Sequence, residues 1–156
     1  MKTLILGLGN DILCDDGAGL YVARELKKIL ANRNDITVAE ASIAGLGLLD
    51  LLTGYNKAIV IDVIQTRDGK AGEVYKLNSN DFAATRHTAS THNIDFASAL
   101  ELGNRLGLSL PKEIVVFAIE ASDVTTFKEN CTPGVKKAIP KCIDMVLKEL
   151  NQQPAA

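Results

Sequence analysis

Three carboxylates and a histidine carry the chemistry that can be read from this chain. Asp15 and Asp16 stand side by side after a short apolar run and the turn Gly7-Leu8-Gly9-Asn10, and Asp62 interrupts the apolar run at residues 58–64. The two histidines, His87 and His92, lie five residues apart in a polar stretch. Ser90 and Thr91 are good helix N-caps, which puts His92 in the first turn of a helix and His87 in the loop before it. A helix N-terminus disfavours imidazolium and leaves a neutral ring nitrogen able to ligate a metal. Together, Asp16, Asp62 and His92 form an Asp/Asp/His set suited to a borderline divalent metal such as nickel or zinc.

Each of these residues also has a plainer reading. Gly-x-Gly after a first strand invites a dinucleotide site, but Ile12 occupies the place of the third glycine, and two acids would repel a pyrophosphate from the helix start. One aspartate can be explained as an N-cap, worth roughly 0.3–1 kcal/mol, which leaves the second over. Asp62 can either cap a loop and accept backbone bonds or face the Asp15/Asp16 turn. A single histidine at a helix start is commonly a surface residue. Cys14 lies in the same loop as a small apolar filler. No Ser/His/Asp triad or activated cysteine competes.

The elements that must position these groups follow from periodicity. Residues 4–8 form a continuous apolar run suited to a strand covered on both faces, and residues 17–30 have helical spacing through Leu20, Ala23, Leu26, Ile29 and Leu30. A second strand is expected at 36–41, a Gly-rich turn Ala44-Gly45-Leu46-Gly47 opening a short helix through Leu52, and a third strand at 57–64. The connection to a fourth strand at 73–77 is too short for a parallel crossover, so that strand should run antiparallel to the third. The polar stretch 78–91 allows one helical turn near 81–84. A helix at 92–106, a strand at 113–119 and a helix at 134–150 complete the chain. With flavodoxin-like 2-1-3 strand order, the first and third strands are neighbours and Asp62 faces the Asp15/Asp16 loop.

A length of 156 residues suits one domain, 1–150, with a frayed tail at 151–156. A formal net charge of -2 offers nucleic acid or an anionic membrane no general attraction. No apolar run approaches the roughly 18 residues of a membrane span, and the first strand begins too early for a secretory signal, so a cytoplasmic protein is expected. Cys14, Cys131 and Cys142 are odd in number and lack Cys-x-x-Cys spacing, implying neither a disulfide framework nor a cysteine zinc site.

Read in order, Gly7-Leu8-Gly9-Asn10, Asp15-Asp16-Gly17-Ala18-Gly19, Ala44-Gly45-Leu46-Gly47-Leu48-Leu49, Asp62 at a strand end, Ser90-Thr91-His92 and Thr132-Pro133 resemble the hydrogenase maturation endopeptidases. The resemblance covers nearly the whole chain. It implies an α/β fold, a three-layer α/β/α sandwich (phosphorylase/hydrolase-like) around a mixed, mostly parallel five-stranded sheet. The implied activity is removal of a C-terminal extension from the large-subunit precursor of nickel-iron hydrogenase once nickel is inserted. The implied metal-binding and catalytic residues are Asp16, Asp62 and His92, with nickel carried by the substrate and zinc or cadmium able to substitute. Some members carry glutamate where Asp16 stands, and His87 has no counterpart. A monomer acting on the precursor, without nucleic acid or membrane insertion, is expected.

Two rivals remain at this point. Peptidyl-tRNA hydrolase shares a strand followed by Gly-Leu-Gly-Asn but continues with Pro-Gly, where this chain has Asp11-Ile12. A nickel-binding chaperone or sensor would use the same three ligands without hydrolysis.

Overall fold

A computed structural model describes residues 1–42, 46–84 and 92–152, and the side chains of these apart from 46, 82–84 and 92–97. The strands are β1 (Thr3–Leu8), β2 (Ile36–Ala41), β3 (Lys57–Ile64), β4 (Val74–Asn78) and β5 (Glu113–Glu120). The helices are α1 (Ala18–Ile29), α2 (Leu46–Leu52), α3 (Ser79–Ala84), α4 (His92–Arg105) and α5 (Pro133–Asn151), with a 3-10 turn at Cys14–Gly17. The sheet order is β2-β1-β3-β5-β4, parallel except for β4. The 2-1-3 order supposed for a flavodoxin-like sheet is present. β4 runs opposite to β3, as its short connection requires, but it pairs with β5, because β1 and β5 already occupy both edges of β3. The expected helical turn near 81–84 is a helix that begins at Ser79. No helix among the described residues is long and apolar enough to cross a membrane.

β3 is buried along its whole length, so its residues alternate between two cores. Ile59, Ile61 and Val63 pack with Ile5 and Phe117 beneath α1 and α5. Ala58, Val60 and Ile64 pack with Leu4, Leu6, Leu8 and Val116 on the other face, against Leu48 and Leu52 of α2 and Leu100 of α4. By this alternation Asp62 belongs to the α2/α4 face.

α1 lies unusually close to the sheet. A Cβ on Gly19 would stand 2.5 Å from the Ile61 carbonyl oxygen and 2.6 Å from that of Leu8, and one on Gly7 would stand 2.5 Å from the Gly19 carbonyl oxygen. Glycine at both positions lets backbone meet backbone, which draws the helix start against the ends of β1 and β3.

The amino edge of the sheet is fastened by charge. Buried Lys57, the first residue of β3, donates to Glu149 Oε1 of α5 at 2.9 Å, and Lys76 of β4 approaches Glu149 Oε2 at 2.7 Å. Burial pushes the Glu149 carboxyl up, but the hydrogen bonds from Lys76 and Lys57 outweigh it and hold the group below its ordinary value.

Glu149→Gln should leave Lys57 buried with only the longer Glu113 contact, at 3.5 Å, and cost about 3 kcal/mol in urea denaturation, the low end for breaking a buried pair. Because the folded-state pKa is depressed, the contribution of Glu149 should be complete above about pH 4.5 and drain away as pH falls through the lower folded value. The double variant Lys57→Met/Glu149→Leu should recover most of the loss, and equal instability of the single and double variants would refute the ion-pair account.

Candidate functional site

At the carboxyl edge β1 ends on Leu8 and the chain must reverse into α1. Gly9 has φ 149°, and a Cβ there would collide with the Asp16 carbonyl oxygen, so the turn requires glycine. The Asn10 amide closes the turn by donating to Asp16 Oδ2 at 2.9 Å and to the Asp16 carbonyl at 3.3 Å. Asp16 is nearly buried, 7% exposed.

Asp15 is fully buried and faces a different way. Its Oδ2 accepts from the Ser122 and Asp123 amides, both at 2.9 Å. The Thr132 amide donates to Oδ1 at 2.6 Å, and the Thr132 hydroxyl donates to Oδ2 at 2.8 Å. The Asp15 amide donates in return to the Asp123 carbonyl at 2.9 Å. Residues 121–132 thus form a strap across the acidic turn, extended by a parallel bridge between Leu13 and Lys128. The capping role expected for one aspartate is therefore corrected: the N-cap of α1 is Gly17, and no side chain caps it. Donors from the strap satisfy the Asp15 carboxylate better than a helix start could.

Asp62 is also fully buried, and its Oδ1 accepts from the Val63 amide at 2.8 Å. It stands one position beyond Ile61, the last β3 residue paired with β1, where β1 departs into the Gly9 turn. Asp16 and Asp62 therefore share the carboxyl edge at neighbouring strand ends, where open α/β sheets keep their sites. Past the end of α4, the Leu108 amide returns to the Gly103 carbonyl at 3.0 Å, and Lys112 donates to the Asn56 carbonyl beside the start of β3. The helix therefore ends at the amino edge, and its first residue, His92, lies toward the carboxyl edge in the layer covering the Asp62 face. The His92 side chain, together with His87, Ser90 and Thr91, lies outside the described residues. Among the described residues, no three His, Cys, Asp or Glu gather as metal ligands.

The cysteines are poor nucleophiles. Burial and then the Asp15 charge push the Cys14 thiol up, and burial raises Cys131 to about 11 and Cys142 to about 12.

Sequence reasoning passed over Glu120 and the strap. Glu120, the buried last residue of β5, accepts from the Thr66 amide at 2.7 Å, from the Thr66 hydroxyl, and from the Tyr75 hydroxyl at 3.1 Å. Burial, with hydrogen bonds to Glu73 and Glu120, pushes the Tyr75 phenol upward. An acid ending an apolar run was the available signal, as it was for Asp62. Beside the acidic turn, a polar cleft of about 280 Å³ is lined by Asn10, Asp11, Arg24, Glu40 and Ser42, with Arg24 bridging Asp11 and Glu40 at 2.9 Å each.

A family model described as hydrogenase maturation protease (HycI) matches residues 20–149. The chain is similar to the hydrogenase 2 maturation protease of Escherichia coli, 22% identical over 153 residues, covering 97% of this chain and 92% of that one. The solved structure of the hydrogenase maturating endopeptidase HybD from E. coli superposes with a TM-score of 0.84 at 22% identity, covering 97% and 93% of the two chains. The [NiFe] hydrogenase maturation protease HybD from Thermococcus kodakarensis does so with a TM-score of 0.74 at 25% identity, covering 96% and 99%.

Asp15→Ala should leave the Ser122, Asp123 and Thr132 donors unpaired and lower the unfolding free energy by on the order of 3 kcal/mol. Hydrogen exchange should rise across 121–132, and unchanged protection there would contradict the strap.

Proposed function

The chain belongs to the hydrogenase maturation protease family, and on that premise we propose that it removes the C-terminal extension of a nickel-iron hydrogenase large-subunit precursor after nickel insertion. The observation that carries the site assignment is that two buried carboxylates from separate segments, Asp16 and Asp62, stand at neighbouring strand ends on the edge toward which α4 begins at His92. Two oxygen donors and an imidazole suit a borderline divalent ion. The three residues would recognise nickel already held by precursor cysteines, so that only metal-loaded substrate is cut.

The raised thiols of Cys14, Cys131 and Cys142 favour attack by water over a cysteine-linked intermediate. Nickel on the substrate supplies Lewis-acid polarisation of a carbonyl or water. Asp16 or Asp62 would accept the proton that the attacking water gives up. Membership of a protease family sets aside peptidyl-tRNA hydrolase, and a non-hydrolytic nickel chaperone becomes an outcome of the test.

Asp62→Ala and His92→Ala should each abolish, by at least about a hundredfold, the loss of a defined C-terminal peptide from nickel-loaded precursor, followed by mass spectrometry. Metal-free precursor should remain intact with the unaltered protein. Near-normal processing by either variant would remove that residue from the site, and metal binding with unchanged precursor mass would establish a chaperone.

A further inference from the structure

Phe127 is 81% exposed, the most exposed large apolar side chain among the described residues, and Ile12 is 45% exposed. They are neighbours. The Lys128 amide donates to the Ile12 carbonyl at 2.9 Å and the Cys14 amide to the Lys128 carbonyl at 2.8 Å, the pattern of a parallel bridge between Leu13 and Lys128. The bond from the Lys128 amide to the Ile12 carbonyl sets the backbone of Ile12 beside the peptide that joins Phe127 to Lys128.

The strap that presents Phe127 is held firmly. Asp123 Oδ1 accepts from the Thr126 amide at 2.9 Å and the Thr125 amide at 3.0 Å, and these bonds, those of Thr126 first, hold its carboxyl down at about 2. Asp15 anchors both ends through Ser122, Asp123 and Thr132. Single apolar residues at a surface are ordinary, but an apolar pair on a fixed loop loses little conformational entropy on binding. Its place selects the occupant: the Asp16 amide bonds to the Leu13 carbonyl at 3.0 Å, so the pair is continuous with the turn carrying the candidate catalytic carboxylate. A polypeptide cut at Asp16 would meet this rim on a path along the turn from Ile12 to Asp16.

We propose that Ile12 and Phe127 form an apolar docking edge for the polypeptide substrate, gripping an apolar side chain of the large-subunit precursor beside the bond to be cut. This rests on the protease reading above. Neither residue touches the reacting atoms, so the edge supplies binding that is equal in ground and transition states, and its loss appears in KM rather than kcat.

The test is steady-state cleavage of nickel-loaded precursor, together with its Kd measured by calorimetry, for the unaltered chain, Phe127→Ser, Ile12→Ser and Phe127→Leu. Both serine variants should raise KM and Kd about tenfold with kcat within about twofold, and Phe127→Leu should largely restore binding. Unchanged KM and Kd in the serine variants, with cleavage intact, would overturn the docking edge and leave the protease reading standing. Binding without cleavage by the unaltered chain would overturn the protease reading, while weaker binding by Phe127→Ser would still support the edge. A dimer in sedimentation equilibrium that Phe127→Ser disperses would assign the pair to self-association and overturn the proposal.

Discussion

Burying a carboxylate costs several kcal/mol unless donors meet its lone pairs, and at Asp15 the Ser122, Asp123 and Thr132 amides and the Thr132 hydroxyl do so. All of them come from one segment more than a hundred residues further along the chain. This clamp fixes the 3-10 turn from one side, while the Gly9 turn closes on Asp16 from the other. Two adjacent aspartates therefore do separate work. One is consumed by architecture, and its neighbour is held at the sheet's edge.

The two edges of the sheet satisfy their buried charges by different means. At the amino edge, Lys57, Lys76 and Glu149 pair opposite charges and join β3, β4 and α5. At the carboxyl edge the buried acids Asp15, Asp62 and Glu120 all accept from backbone amides. A peptide amide supplies a donor without adding positive charge, so these contacts leave the charge of the carboxylates in place.

The fold was largely legible because β1 and β3 are uninterrupted apolar runs and α1 and α5 have clear helical spacing. The α/β class and the direction of β4 followed from these and from connection lengths, while the 2-1-3 order entered only as the supposition of a flavodoxin-like sheet. The pairing of β4 with β5 did not, since strand neighbours are chosen by long-range packing that no local pattern encodes. Asp62 was visible as a charge inside an apolar run. The role of Asp15 was not, because its donors are backbone amides from residues 121–132, and a backbone amide leaves no mark on composition. Thr132 was noticed for its place before Pro133, while its bond to Asp15 depends on tertiary geometry alone.

The distance in sequence between Asp15 and its donors also governs when the turn can be completed. A chain emerging from the ribosome can assemble β1, α1, β2 and β3 in order, since these are sequential neighbours. It still lacks the strap until residue 132 has left the exit tunnel, and contacts of such long separation form late in folding. Until then the acidic turn lacks the donors that clamp Asp15. The clamped form of the acidic turn is therefore available only to a chain that already includes residues 122–132.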